Sequence, residues 1–81
     1  MQVQVLCFGH LADYFGGDPF EVTLPLGARV SDLVAELERR EPRAQALGKR
    51  CRFALTEEYT TLDAPLQEGC TVAALPPMSG G

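Results

Sequence analysis

The sequence predicts an α+β fold, a single sheet of about five strands with one main helix packed across one face. Three stretches carry that prediction. QVQVLCF (2–8) and FEVTL (20–24) alternate with the period of two that a half-buried strand needs. RVSDLVAELERREP (29–42) instead places Val30, Leu33, Val34 and Leu37 at i, i+3, i+4 and i+7, the stripe of an amphipathic helix. The run TVAALP (71–76) reads as a last strand. A hairpin, a crossover helix and later strands returning to one sheet make a compact roll.

In the first strand Val3, Val5 and Cys7 point to one face, and Gln2, Gln4, Leu6 and Phe8 to the other. FGHLADYFGGDP (8–19) is a short irregular or helical connection, closed by the turn residues Gly16-Gly17-Asp18-Pro19. The second strand turns Phe20, Val22 and Leu24 inward and pairs with the first as a hairpin, which Pro25 and Gly27 end. At the helix, Ser31 is the expected N-cap, Asp32 suits the positive end of the dipole, Arg39 and Arg40 the negative end, and Pro42 stops it. RAQALGK (43–49) is expected as one loose turn. RCRFALT (50–56) is a third strand with Cys51, Phe53 and Leu55 on one face. EYTTLDAPLQEGC (58–70) holds a short edge strand around Tyr59 and the turn residues Glu68-Gly69. In the last strand Val72 and Ala74 face one way, Ala73 and Leu75 the other. No internal repeat or low-complexity linker divides the chain, so residues 1–81 read as a single domain.

A chain of 81 residues has a small core, since domains of this size bury only roughly 60% of their unfolded surface. Hydrophobic residues at 46% and charged ones at 22% are those of an ordinary soluble globule. No run of about 18 apolar residues offers a membrane span. MQVQVLCFGHLADYF lacks the basic start and small-residue cleavage site of a signal peptide, so a cytoplasmic location is expected. A net charge of −4 and a pI near 4.8 argue against nucleic acid and for a basic protein surface as partner. Cys7, Cys51 and Cys70 are odd in number and widely spaced, with no C-x-x-C, which supports neither a zinc site nor an iron–sulfur cluster. They are expected to be buried, reduced thiols. His10 is the sole histidine, and no Ser/His/Asp or Cys/His constellation is evident, so the chain is not expected to catalyse alone.

If Val3, Val5 and Cys7 face the helix, Leu6 and Phe8 face outward, and the same count sends Leu75 outward. The third strand adds Arg52, Ala54 and Thr56 to that face, with Tyr59 near its rim. Single exposed apolar residues are ordinary. A cluster on a face expected to be polar points to an interface.

The sequence ends ALPPMSGG (74–81), and folding asks for no such ending. Glycine has the most conformational entropy to lose, so Gly80 and Gly81 resist ordering. A chain-end carboxylate is a nucleophile toward an activated phosphate, and once adenylated it is an electrophile. Glycine leaves no Cβ to obstruct attack and threads a narrow channel. Pro76 and Pro77 favour an extended approach. Residues 76–81 therefore read as a flexible tail with an unhindered tip.

VQVLCFGHLADYFG, LPLGARVSDLVAEL, ALTEEYTTLDAPLQEGCTVAALPP and LPPMSGG occur in the order found in one family. The chain resembles the small subunit of molybdopterin synthase, the MoaD-like sulfur carriers of the ubiquitin-like β-grasp fold, over nearly its whole length. The resemblance implies a mixed sheet and a carrier that binds no cofactor itself. Gly81 would be adenylated by a MoeB-like activating enzyme using ATP and converted to a thiocarboxylate, with Gly80 the slim backbone behind it. The tail would insert into a MoaE-like large subunit and pass sulfur to a cyclic pyranopterin monophosphate, building the dithiolene of molybdopterin. By the same resemblance Phe8, Tyr59, Leu75, Pro76, Pro77 and Met78 are partner-binding positions; strand alternation had selected Phe8 and Leu75 independently. Ala12 stands where many relatives carry arginine, Thr56 where many have asparagine, Cys70 in place of an aspartate and Met78 in place of a β-branched residue. Two further roles share the fold: a sulfur carrier for thiazole synthesis, and a protein modifier joined to lysines through Gly81.

Overall fold

Alternation becomes pairing in the computed structural model, which describes residues 1–44 and 47–77. β1 (Gln2–Cys7) and β2 (Phe20–Thr23) are antiparallel, with Val3 opposite Val22 and Val5 opposite Phe20. Between them lies α1 (Leu11–Phe15), whose Phe15 stacks on Phe20 with ring centroids 6.0 Å apart. α2 (Val30–Arg40) follows, then a 3-10 turn (Pro42–Ala44) and α3 (Leu47–Arg50). β3 (Arg52–Leu55) and β4 (Glu58–Thr60) form a second hairpin, and β5 (Thr71–Leu75) completes the sheet. The strand order is β2-β1-β5-β3-β4, with β5 parallel to β1 and antiparallel to β3. This is the mixed five-stranded sheet expected of a β-grasp.

The core lies between the sheet's inner face and α2. Val3, Val5, Val22 and Val72 from the sheet meet Val30, Leu33 and Leu37 from the helix, all essentially inaccessible. Burying each such side chain contributes roughly 1.5–3 kcal/mol. The inward set Val3, Val5 and Cys7 is as alternation requires, and so are Val22 and Leu24, while Phe20 is only half-buried. No helix among the described residues is long and apolar enough to cross a membrane.

Three local expectations are corrected. Ser31 is not the N-cap of α2. That position is Arg29, whose backbone N–H donates to Asp32 Oδ2 at 2.7 Å. The first-turn N–H groups of Val30 and Ser31, which have no partner within the helix, donate to the carbonyls of Ala64 and Leu62 at 2.9 Å each, so a distant loop caps the helix. Residues 43–49 are not one loose turn: the 3-10 turn and α3 occupy most of that stretch, and Leu47 N–H donates to Glu38 Oε2 at 2.8 Å. The third strand stops at Leu55 because Thr56 and Glu57 take φ of 53° and 68° and close the β3–β4 hairpin. Tight hairpins favour primed turns with positive φ. A β-branched residue there is strained by about 1–2 kcal/mol.

Candidate functional site

The outer face of the sheet follows from the same alternation that fills the core. Leu6 on β1, Ala73 and Leu75 on β5 and Ala54 on β3 point away from α2, each half-buried by its neighbours. Pairing puts Ala73 beside both Leu6 and Ala54, and Tyr59 beside Ala54. The result is an apolar strip across the three central strands. Phe8 extends it, since its backbone N–H donates to the Ala74 carbonyl at 3.2 Å and so continues the ladder beyond Cys7. Phe8 is 43% exposed and Tyr59 71% exposed, both large apolar surfaces. The Arg52 guanidinium lies 5.5 Å from the centre of the Tyr59 ring, a cation–π contact that fixes the rim.

A groove of about 560 Å³ runs along this strip, floored by Leu6, Ala54 and Ala73 and walled by Phe8, Thr56 and Glu57. The strained turn thus edges the groove. Alternation already assigns Thr56 to the face of Phe8, whereas the turn itself and the place of Glu57 in the groove carry no signal in the sequence.

The tail leaves the sheet immediately beside Phe8. Leu75 is opposite Arg52 at the end of β5, and Pro76 next packs on Gly9. Gly9 has φ +60°, and a Cβ there would lie 2.8 Å from Pro76 Cγ, so only glycine admits this approach. Phe8-Gly9 at the end of a strand was the available signal. Pro76 is half-buried and Pro77 exposed. Met78, Gly80 and Gly81 lie outside the described residues. The structure brings Phe8, Leu75 and Pro76 together at one end of the strip, with Tyr59 across β3 from them. Pro77 turns toward a small separate cavity of about 150 Å³ shared with His10, Tyr14, Arg43, Arg50 and Cys51.

All three thiols are free, Cys7 buried and Cys51 and Cys70 half-buried. Burial, reinforced by the neighbouring Cys51, pushes the Cys7 thiol up to about 11. Burial also raises Cys51, against a smaller opposing effect of Arg50. Cys7 and Cys51 are thereby kept from the thiolate form that a reactive cysteine needs. Among the described residues no three His, Cys, Asp or Glu side chains converge as metal ligands.

The sequence profile of the ThiS family matches residues 5–81. A molybdopterin synthase sulfur carrier subunit from Chlamydomonas reinhardtii is 35% identical over 83 aligned residues, covering 100% of both chains. The solved structure of a putative molybdopterin converting factor subunit 1 from Pyrococcus furiosus superposes with a TM-score of 0.84 at 28% identity, over 95% of this chain and 98% of that one. Subunits 1 and 2 of molybdopterin-converting factor from Helicobacter pylori 26695 have been solved as a protein–protein complex, and its matching chain aligns over 100% of both at 29% identity and a TM-score of 0.71. With its fold and nearly its whole length matched, this chain belongs to the ThiS family of ubiquitin-like β-grasp proteins.

Proposed function

We propose that this protein is the sulfur-carrying small subunit of a molybdopterin synthase. The observation that carries the proposal is a partly exposed apolar strip that ends where the tail begins, in a chain whose relatives, matched over its whole length, are named as such carriers. A large subunit seats on Leu6, Phe8, Ala73 and Leu75, with Tyr59 at the rim, and receives the tail that Pro76 and Pro77 direct away from the sheet. Gly81 supplies the carboxyl. The carboxylate attacks the α-phosphate of ATP on an activating enzyme, forming the acyl adenylate and releasing pyrophosphate; a sulfur donor displaces AMP to leave a thiocarboxylate, and inside the large subunit sulfur passes to the cyclic pyranopterin monophosphate. The domain's own part is to bind, to brace the tail root and to hold the tip clear; the chemistry occurs in the partner's cavity and in the cytoplasm. The curated relatives favour this role over a carrier for thiazole synthesis.

Intact mass after incubation with the activating enzyme, ATP and a sulfur donor tests the proposal. One oxygen of Gly81 is replaced by sulfur, and the product restores dithiolene formation by the large subunit. Deleting Gly81 withdraws the carboxyl by roughly 3.3 Å and abolishes transfer while leaving the melting temperature unchanged. Near-normal transfer by the deletion, or sulfur found on a cysteine, overturns the assignment. Stable conjugates on target lysines with no dithiolene formed assign the modifier role instead.

A further inference from the structure

Basic side chains from separate segments meet where the tail leaves the sheet. His10 precedes α1, Arg43 belongs to the 3-10 turn and Arg50 ends α3, and all line the cavity of about 150 Å³ that Pro77 borders. The chain as a whole is acidic, with 11 Asp and Glu against 7 Lys and Arg. Yet among the described residues no Asp or Glu lines this cavity. Its buried lining residues Leu11, Ala44 and Leu47 belong to the core, so it opens on the helix side of the sheet. The apolar strip lies on the other side, and the tail root runs between the two, with Leu75 toward the strip and Pro77 at the cavity.

The arginines keep donors in reserve. Arg43 lies 4.9 Å over the Tyr14 ring and gives one N–H from Nε and one from Nη2 to the Glu41 carboxylate, at 2.7 and 2.9 Å. A guanidinium carries five N–H groups, so the other three serve a further acceptor. Ion pairs among the described residues engage Arg39, Arg40 and Arg43 but not Arg50. Burial raises the Cys51 thiol and the Arg50 charge partly offsets it, as a guanidinium at the cavity wall would. His10, Arg43 and Arg50 are all exposed, as docking groups must be. Beside an apolar floor an ion pair is screened less than on open surface. The cavity's size suits one short side chain rather than a helix or a strand.

We infer that this cavity is a second contact for the large subunit and takes an aspartate or glutamate side chain from it. The inference rests on the carrier reading. A large subunit that seats on the strip and receives the tail encloses the chain at Pro76 and Pro77, which carries it to the cavity's mouth. There its carboxylate accepts from Arg50 and from the remaining Arg43 N–H groups, in the forked geometry that guanidinium offers. The strip supplies apolar area, and the cavity supplies a charge that fixes how the two proteins are oriented.

Calorimetry of the large subunit with the full chain, at about 0.05 and 0.3 M salt, tests this. Arg50→Gln is expected to weaken binding at least about tenfold at the lower salt, and to flatten the fall of affinity with added salt. Arg43→Gln acts in the same direction, and melting curves confirm that both variants fold. Lys49→Gln removes a neighbouring cation that lines a different groove, and its affinity stays within about twofold of the parent's. In a Lys49→Gln background, Arg50→Lys lets a carbodiimide join the introduced amine to the facing carboxylate as an amide. Digestion then places that amide on an Asp or Glu of the large subunit, and no amide between the two proteins overturns the inference. Unchanged affinity in both arginine variants, while Leu75→Ala still weakens it, overturns the inference alone. So does an equal loss in Lys49→Gln, which makes the effect one of net charge. Inorganic phosphate that shifts the His10 ring resonances while the arginine variants bind normally gives the cavity to a free oxyanion, and overturns it too. A parent chain that binds no large subunit overturns the carrier reading, and the docking with it.

Discussion

Replacing Gly9 by alanine probes the joint between the partner surface and the tail. The new Cβ sits 2.8 Å from Pro76 Cγ, roughly 0.6 Å short of the 3.4 Å at which ordinary contact begins. Pro76 directly follows β5 and cannot swing freely, so relief requires the tail root to move. Overpacking of this kind costs about 1–3 kcal/mol, and an L-residue at φ +60° adds about 1–2 kcal/mol. The alanine's smaller unfolded-state entropy returns about 0.4–1 kcal/mol. The expected net loss is about 1–4.5 kcal/mol, and its middle, about 3 kcal/mol, lowers the melting temperature on the order of 10–20 °C in a domain of this size. Sulfur transfer at a temperature where the variant is folded falls further than large-subunit binding does, because misplacing a reacting group by about 1 Å costs on the order of a hundredfold. A double-mutant cycle with Pro76→Ala separates the two contributions, since that change removes Cγ and leaves the φ strain. The double variant recovers about 1–3 kcal/mol of the loss. Additive effects within about 0.5 kcal/mol, or a Gly9→Ala protein that melts like its parent, would refute the reasoning.

Phe8→Ala and Leu75→Ala are expected to weaken large-subunit binding by about 2 kcal/mol or more while shifting thermal stability much less. Calorimetry showing unchanged affinity beside a collapsed melt would return both side chains to the core. Glu36, held to about 2 by hydrogen bonds from Arg39 and Arg40, is deprotonated in the folded chain across a range where its unfolded form takes up a proton. Its contribution to stability is present above the ordinary glutamate value of 4.5 and is lost as pH falls toward about 2. Glu36→Gln is expected to flatten that acid limb in pH-dependent melts, and high salt to diminish the effect in the parent, because the cluster is exposed. An acid limb unchanged by the substitution assigns it to other carboxylates.

Much of this architecture is legible in side-chain periodicity. Val3, Val5 and Cys7 against Leu6 and Phe8, and Val72 and Ala74 against Ala73 and Leu75, sort correctly because a pleated strand leaves each residue only two directions. α2 is legible because its stripe and its charged ends agree. What is not legible depends on segments far apart in the chain. Ser31 has the chemistry of a cap, yet its N–H is taken by Leu62 and that of Val30 by Ala64, so the loop decides where the helix begins. α3 is too short for periodicity to register. The turn at Thr56-Glu57 opposes local preference and is imposed by pairing of Leu55 with Glu58. The site divides the same way: Phe8 and Leu75 can be counted outward, but the packing of Pro76 on Gly9 and the gathering of His10, Arg43 and Arg50 beside Pro77 require the fold.

The position of β5 has a consequence for synthesis of the chain. β1 with β2 and β3 with β4 are two hairpins of neighbouring sequence, and β5 is the strand that joins them. Before it is made, β1 and β3 each lack a partner on the side that β5 will fill, and isolated two-stranded hairpins are marginal in water. A nascent polypeptide on the ribosome therefore cannot close the sheet until Leu75 has emerged. A product that stops short of Thr71 remains open to proteases and never occupies a partner. Loss of residues after Pro77 is the opposite case, leaving the sheet, Phe8 and Leu75 intact. Such a clipped chain would pass every check on folding and still seat on the large subunit, a folded competitor with nothing to deliver.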